Sequence, residues 1–409
     1  MKKLYTIILL AVIVSGAKQS HAQGTWTQKA NLSGTARQSA AGFSIGTKGY
    51  ICTGFDLNYA LQTDLWEWNQ STNAWTQKAN FPGTGRMGAV GFSIGTKGYI
   101  GTGYNSSGNG TYFADFWEWN QATNAWVQKT GLGSTVREYA VGFTIGSKGY
   151  IGTGQYSSGF TLMFRNDLWE YNQSTGAWTQ KANFPGAARC GAAAFVVNNI
   201  AYIGAGEAYP TPYYDFYAFD PSSNSWTQKT SFSGAPYRYA VGFAIGSKGY
   251  YGTGTDGQLF GSGSFWEYDP GADTWTQVAS LPGTNSVYRF DAVAFVIAGK
   301  GYVGTGKNYN ADGLNDFYEY TSPESGINET DLSNTISVFP NPSSGKLTLN
   351  SEFAKGEIAI YNLQGEKVFQ SEIKNQKTEI DLSKQPSGVY FLQLKTSEGV
   401  ANKKIIIYK

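Results

Sequence analysis

Histidine is almost missing from this 409-residue chain, whose single copy is His21. It lies in a first stretch, residues 1–22, that reads as a signal peptide. Lys2 and Lys3 form a basic start, Leu4 to Val14 an apolar run, and Ser20-His21-Ala22 a small-x-small cleavage site. Its removal leaves no imidazole, which excludes a Ser-His-Asp triad, an imidazole metal site and a histidine general base. Cysteine is nearly as scarce. Cys52 and Cys190 are the only two, too few for a thiolate metal cluster. They fall in the first and fourth of six repeated units, too far apart to bridge, and two isolated, buried thiols are expected. Long apolar runs are lacking too. Leu4–Val14 is too short to span a membrane, and no other stretch approaches the required length. Nor is there an excess of charge. Without Lys2, Lys3 and Lys18 the chain carries 28 basic against 29 acidic side chains, which leaves no electrostatic footprint for nucleic acid.

What the chain does have is repetition. Six near-copies of one unit run from Trp26 to Tyr320, marked by Trp26, Trp75, Trp126, Trp178, Trp226 and Trp275. In the second copy four short strand-like runs are legible: Ala89–Ile94, Gly98–Gly103, Asp115–Trp119 and Trp126–Lys129. A period of roughly 50 residues holding four such runs predicts an all-β propeller of six four-stranded blades over residues 23–320. The first run is built from small residues (Ala40-Ala41-Gly42, Ala89-Val90-Gly91, Ala192-Ala193-Ala194), whereas the third and fourth carry the indoles. That gradient suits a radial wedge, narrow at an axis and wide at a rim. The sixth copy ends at Asp316–Tyr320 with no tryptophan run behind it, and the first such run, Gly24–Lys29, has no other run before it. The N-terminal run is therefore expected to complete the last blade, leaving no open sheet edge.

These units resemble the Kelch family. Its repeat ends the second strand in a glycine pair, then places an aromatic on the third strand and a tryptophan a fixed distance later. Here the pair is spread into Gly-Thr-Gly (Gly101 and Gly103, Gly152 and Gly154, Gly252 and Gly254, Gly304 and Gly306). The aromatic-to-tryptophan spacing is seven at Trp68–Trp75, Trp119–Trp126, Tyr171–Trp178, Phe219–Trp226 and Tyr268–Trp275. The resemblance implies a Kelch-type propeller and says little about function, since such propellers serve as enzymes, peptide readers and scaffolds. The lack of histidine excludes the galactose-oxidase-like copper site among those options.

Composition shifts near the C-terminus. All 12 Trp lie before residue 276, and the last 75 residues contain neither Trp nor Arg but ten Lys. A polar stretch beginning at Thr321 reads as a linker over 321–334. Residues 335–409 alternate apolar and polar positions between turns such as Pro342-Ser-Ser-Gly345 and Leu363-Gln-Gly365, as in a small Ig-like β-sandwich of about seven strands. Val338-Phe-Pro-Asn-Pro342, Ile360-Tyr-Asn-Leu-Gln-Gly365, Gly388-Val-Tyr-Phe-Leu392 and Lys403-Lys-Ile-Ile-Ile407 resemble the type A sorting domain of the Bacteroidetes type IX secretion system. This resemblance implies the secretion and sorting machinery as partner, outer-membrane export, and then release or surface attachment. An accessory adhesion sandwich is the alternative.

Candidate chemistry rests on carboxylates, arginines and aromatic rings. Glu67, Glu118, Glu170, Glu267 and Glu319 recur on the third strand, with Ala218 as the exception. Such repetition points to a structural pairing rather than an active site. Arg37, Arg86, Arg137, Arg189 and Arg289 each lie six residues before the phenylalanine of the first strand, where the fifth copy has Tyr237, so its Arg238 should face the other way. Two readings follow. The arginines form an anion-binding mouth, or a structural girdle bonded to carbonyls and to the aspartate opening the third strand (Asp64, Asp115, Asp167, Asp215, Asp316). The loops between second and third strands differ among copies and share the arginines' face. They offer Tyr59, Tyr112, Phe113, Tyr156, Phe160, Tyr209, Tyr213, Tyr214, Phe260 and Tyr309 for stacking on sugars or anchoring a peptide, unless the rings fold back onto the rim. Arg165 and Glu207 are charges unique to single loops. Asn308-Tyr-Asn-Ala-Asp-Gly313 with Glu319 resembles a calcium loop, but the leading Asp is replaced and strands flank it. No cofactor and no metal are expected.

The resulting expectation is a secreted or cell-surface, non-enzymatic binding propeller for a glycan or an extracellular protein. The alternative is a sugar-modifying enzyme resembling the sialic acid mutarotases, using Arg137 with Glu138 or Arg189 with Glu207. A passive structural module of the envelope is the third reading.

Overall fold

The computed structural model describes residues 23–234, 237–256, 262–282, 289–308, 313–323, 330–331, 336–353, 355–362, 366–373, 375–396 and 399–409. The signal-peptide expectation, Phe260, Tyr309 and the turn at Leu363-Gln-Gly365 fall outside these residues. The chain divides into two compact units, residues 1–322 and 323–409.

The first unit contains six four-stranded antiparallel sheets. In the second blade the strands are Val90–Ile94, Lys97–Gly101, Phe116–Asn120 and Ala125–Lys129, from the axis outward. Each inner strand alternates in burial. In Ala41–Ile45 the side chains of Ala41, Phe43 and Ile45 are buried, with Gly42 and Ser44 half-buried between them. Six apolar clusters follow, each shared by two neighbouring blades. Phe43, Tyr50 and Leu65 of the first blade pack with Phe81, Ile100 and Trp119 of the second. Leu32, Ile51 and Trp68 of the first pack with Phe295, Tyr302 and Phe317 of the sixth. The inner strands touch in the order first to sixth and back to first, so the ring is closed. Crowding at the axis explains the small residues there: a Cβ on Gly42 would lie 2.0 Å from Val293 Cγ1 of the sixth blade.

The seven-residue aromatic spacing is a cross-strand pair. Trp68 faces Trp75, Trp119 faces Trp126, Tyr171 faces Trp178, Phe219 faces Trp226 and Tyr268 faces Trp275. The sixth such pair is Tyr320 with Trp26, formed because Thr25–Lys29 docks antiparallel on Phe317–Thr321. The outer tryptophans then join the blades. Trp75 Nε1 donates to Ala30 O at 2.8 Å, Trp126 to Ala79 O at 2.9 Å, and Trp26 to Ala279 O at 2.8 Å.

The second unit is a sandwich of a five-stranded and a three-stranded sheet around Leu349, Ile358, Ile360, Leu392, Leu394 and Ile405. The segment read as linker is partly structured, since Thr330–Asp331 pairs in parallel with Gly399–Val400. Among the described residues no helix is long and apolar enough to cross a membrane.

Candidate functional site: the axial mouth

The arginines before the inner strands are buried, with side chains of Arg37, Arg86, Arg137, Arg189 and Arg289 at 0% exposure. Each meets the aspartate that opens the third strand of its own blade. Arg137 Nη1 and Nη2 donate to Asp167 Oδ1 and Oδ2 at 2.7 and 2.8 Å, Nη1 also donates to Thr153 O at 2.8 Å, and Nε to Thr135 O at 3.1 Å. Arg37–Asp64, Arg86–Asp115 and Arg189–Asp215 repeat the fork, while Arg289 reaches both oxygens of Asp316 through Nη2 alone, at 2.6 Å each. Burial by itself would raise the Asp167 carboxyl, but the hydrogen bonds and charge of Arg137 outweigh it and hold it below the ordinary range. The anion-binding expectation finds no support at Arg37, Arg86, Arg137 and Arg189, whose donors are spent within their own blades as a structural girdle; Arg289 is likewise held by Asp316, but its buried Nε has no partner among the described residues. The fifth blade lacks both halves of the fork. Tyr237 and Ser264 occupy the two positions, and Tyr251 Oη donates to Tyr237 O at 2.8 Å.

The recurring glutamates are structural as well. Tyr50, Tyr99, Tyr150, Tyr250 and Tyr302 donate to Glu67, Glu118, Glu170, Glu267 and Glu319 at 2.5–2.7 Å. Glu319 is further held by Lys300 and Lys29 at 2.8 and 3.3 Å, which occupies the carboxylate that the calcium pattern would need. Asn310 and Asp312 of that pattern lie outside the described residues. Among those residues no cluster of His, Cys, Asp and Glu could hold a metal ion. Both cysteines are free and buried.

Two residues beyond each girdle position, which is Tyr237 in the fifth blade, the chain turns into the left-handed region. Ser39, Gly88, Tyr139, Gly191, Tyr239 and Asp291 have φ of 54, 61, 51, 59, 56 and 55°. Their backbones close a hoop around the axis, each N–H donating to the carbonyl in the preceding blade at 2.9–3.1 Å: Ser39 to Asp291, Gly88 to Ser39, Tyr139 to Gly88, Gly191 to Tyr139, Tyr239 to Gly191, Asp291 to Tyr239. A second set of bonds links the Gly-Thr-Gly motifs to the arginine carbonyls, as Gly103 N–H to Arg137 O at 2.7 Å. Here Thr102, with φ of 60°, is a β-branched residue held left-handed, a real outlier.

Inside the hoop the side chains differ. Tyr139 of the third blade reaches Ser39 of the first, Oη to Oγ at 3.1 Å, and packs edge-on against Tyr239 of the fifth with centroids 4.8 Å apart. The two rings thus meet at the axis. A cavity of about 130 Å³, lined also by Ala40, Ala140 and Asp291, lies beside them. One step toward the loops sits a second non-repeating ring: Gln38, Met87, Glu138, Cys190, Arg238 and Phe290, each bridged by backbone to the first loop residue, Phe55, Tyr104, Gln155, Glu207, Thr255 or Lys307. Arg238 pairs with Glu207 of the fourth blade, so it does face away from the girdle as its offset predicts. Burial pushes the Glu138 carboxyl up to about 7 against a hydrogen bond from Gln155, with the charge of Asp291 adding to the rise. Burial likewise raises Asp291 to about 6, opposed by the Lys307 charge. Gln38 Oε1, Glu138 Oε2 and Arg238 Nε are buried and have no hydrogen-bond partner among the described residues.

The loop rings divide into two groups. Tyr156 lies under Arg165 at 4.2 Å, Tyr213 over Arg189 at 4.2 Å and Phe113 over Arg86 at 4.0 Å. Tyr112 packs on Tyr104 and bonds Ser157 at 3.1 Å. These have folded back. Tyr59, Phe160, Tyr209 and Tyr214 stay exposed. Of the predicted site residues, the structure therefore brings Glu207 alone to the axis. Arg165 is spent on Tyr156 and Val136 O, Tyr237 packs in the core between the fourth and fifth blades, and Tyr209 projects from its hairpin. The pairs proposed for catalysis, Arg137 with Glu138 and Arg189 with Glu207, do not form, because both guanidinium groups are on their aspartates. Sequence reasoning passed over Gln38, Tyr139, Tyr239 and Asp291. The available signal was the residue after each arginine, which differs in all six copies.

Comparison with known proteins agrees with this architecture. Residues 43–244 match the KLHDC2/KLHL20/DRC7 Kelch-repeats domain, and residues 337–408 match the secretion system C-terminal sorting domain. No curated protein sequence matches the chain. A solved structure titled "Structure of YjhT" is similar in fold, with a TM-score of 0.61 at 17% identity, covering 71% of this chain and 96% of the other. A sorting domain of the type IX system directs export, to the cell surface or the medium, through the secretion machinery. The chain thus carries Kelch repeats within a six-bladed β-propeller and a C-terminal secretion-system sorting domain.

Proposed function

We propose that this exported propeller is a non-enzymatic binding module whose ligand is a glycan, taken over the axial mouth and bordered by the exposed loop rings. The signal peptide of residues 1–22 would start its export. The observation that carries this reading is the trio of orphaned groups in one non-repeating ring. Gln38 Oε1 and Glu138 Oε2 accept, whereas Arg238 Nε donates. Buried polar groups are otherwise almost always paired, and sugar hydroxyls supply donors and acceptors together. Tyr59, Phe160, Tyr209 and Tyr214 on the same face provide rings against which a pyranose can stack.

A glycan array probed with the full chain tests the proposal. Retention of a defined set of glycans, reduced when Tyr209 and Tyr214 are both changed to Ala, supports it; an array without signal removes it. NMR of a bound free sugar, monitored for ring-opening exchange, addresses the sugar-modifying alternative, for which Glu207 with Arg238 is the carboxylate–guanidinium pair at the axis.

A further inference from the structure

We infer that the axial mouth seats a primary ammonium group against Glu138, so that the glycan it takes is an amino sugar; this rests on the glycan reading above. Three glutamates of the propeller are buried: Glu138, Glu207 and Glu319. Glu207 has Arg238 as its counter-ion, and Glu319 has Lys29 and Lys300. Among the described residues no Lys or Arg forms an ion pair with Glu138, whose exposure is 4%. Its Oε1 accepts from Gln155 Nε2 at 3.0 Å, and its Oε2 has no partner. The titratable groups that face it are Asp291, Tyr139, Tyr112 and Cys190. None of these is a cation.

Glu138 also stands in the right place. Its Cβ abuts Gly88, whose own Cβ position would be 3.2 Å away, and Gly88 lines the axial cavity together with Tyr139 and Asp291. A second buried acceptor, Gln38 Oε1, is orphaned in the same ring. A hydroxyl or amide donor would satisfy the hydrogen bond of Glu138 but supply no counter-charge for it to ionise against in a dry site. An ammonium satisfies both, with three donors and a positive charge. Without a cation such a buried carboxyl stays protonated rather than charged, and an arriving ammonium supplies the partner that lets it ionise.

The test is calorimetric titration of the full chain with a chitosan oligosaccharide and with its fully N-acetylated counterpart of equal length, at about pH 5.5, where the sugar amines are already protonated, in two buffers of different ionisation enthalpy. The amine form should bind about tenfold more tightly, the scale of one charge-assisted hydrogen bond. Its binding should release protons, because Glu138 ionises as the ammonium seats. Glu138→Gln should bring the two affinities within about twofold of each other. Equal affinities in the unaltered chain, or a preference that survives in E138Q, would overturn the inference and leave the glycan reading in place. If neither oligosaccharide binds while the array shows other glycans, the inference also fails. If the array is blank, the glycan reading falls with it. The comparison of the two sugars needs no variant, so poor folding of E138Q would not shield the idea.

Discussion

Arg137 holds Asp167 with both arms of its guanidinium, at 2.7 and 2.8 Å, from a position with no exposed surface. The same fork recurs in three other blades and as a one-armed pair, Arg289–Asp316, in a fourth, and each one ties the entry of the inner strand to the start of the third. Arg137→Ala would strand the Asp167 carboxylate. Breaking such a pair costs about 3–5 kcal/mol, and urea unfolding of R137A should show a loss of that order. The double variant Arg137→Tyr with Asp167→Ser, which copies the fifth blade, should lose less than R137A alone. If the double variant is as unstable as the sum of its single changes, the fork is not a separable unit.

Trp26 and its strand make the final cross-strand pair, opposite Tyr320. Deleting residues 24–30 would leave Phe317–Thr321 as an open edge and uncover part of the apolar seam between the fifth and sixth blades, which includes Trp26. The truncated chain should unfold or aggregate at room temperature. An unchanged melting temperature by circular dichroism would refute the role given to this strand.

The pH dependence of stability follows from Glu138 and Asp291. Both carboxyls are raised in the folded chain, to about 7 and about 6. Between the ordinary carboxylate range and those values the folded state keeps protons that the unfolded chain has released. Stability therefore falls as pH rises from about 4 to about 7, the opposite of the usual trend for paired carboxylates. The contribution of Glu138 is roughly 2–3 kcal/mol across that window. Glu138→Gln should be more stable than the parent at pH 8 and close to it at pH 4. Denaturant midpoints at the two values decide the matter.

Thr102 offers a quieter test. Its left-handed backbone is the strained feature, and its buried hydroxyl has no partner among the described residues. The fourth blade already carries Ala205 there, with φ of 56°. Thr102→Ala should change stability by less than about 1 kcal/mol; a larger loss would mean that the hydroxyl has a bond that the structure does not contain.

The blades were legible because each is written six times. The seven-residue spacing of Trp119 and Trp126 maps onto one cross-strand pair, so a linear distance became a contact. The fork was half-legible. Arg86 and Asp115 both stood out by recurrence, but whether the guanidinium was spent or free depends on their approach across a sequence separation of 29. The axial site was hidden for the opposite reason. Gln38, Glu138 and Arg238 recur in no other copy, and their orphaned atoms are a property of burial rather than of spacing. Tyr139 illustrates the limit, because its reach to Ser39 crosses 100 residues and two blades.

The hoop of Ser39, Gly88, Tyr139, Gly191, Tyr239 and Asp291 is made of main-chain atoms alone. Side chains other than proline and the β-branched residues, which would remove a donor or resist the left-handed φ, can occupy its six stations with the clasp intact. Mutation can therefore exchange the groups that confront a visitor at the centre without loosening the scaffold that presents them. A laboratory library confined to those stations and to their six neighbours beside the arginines is the natural place to seek altered taste in an otherwise unmodified propeller.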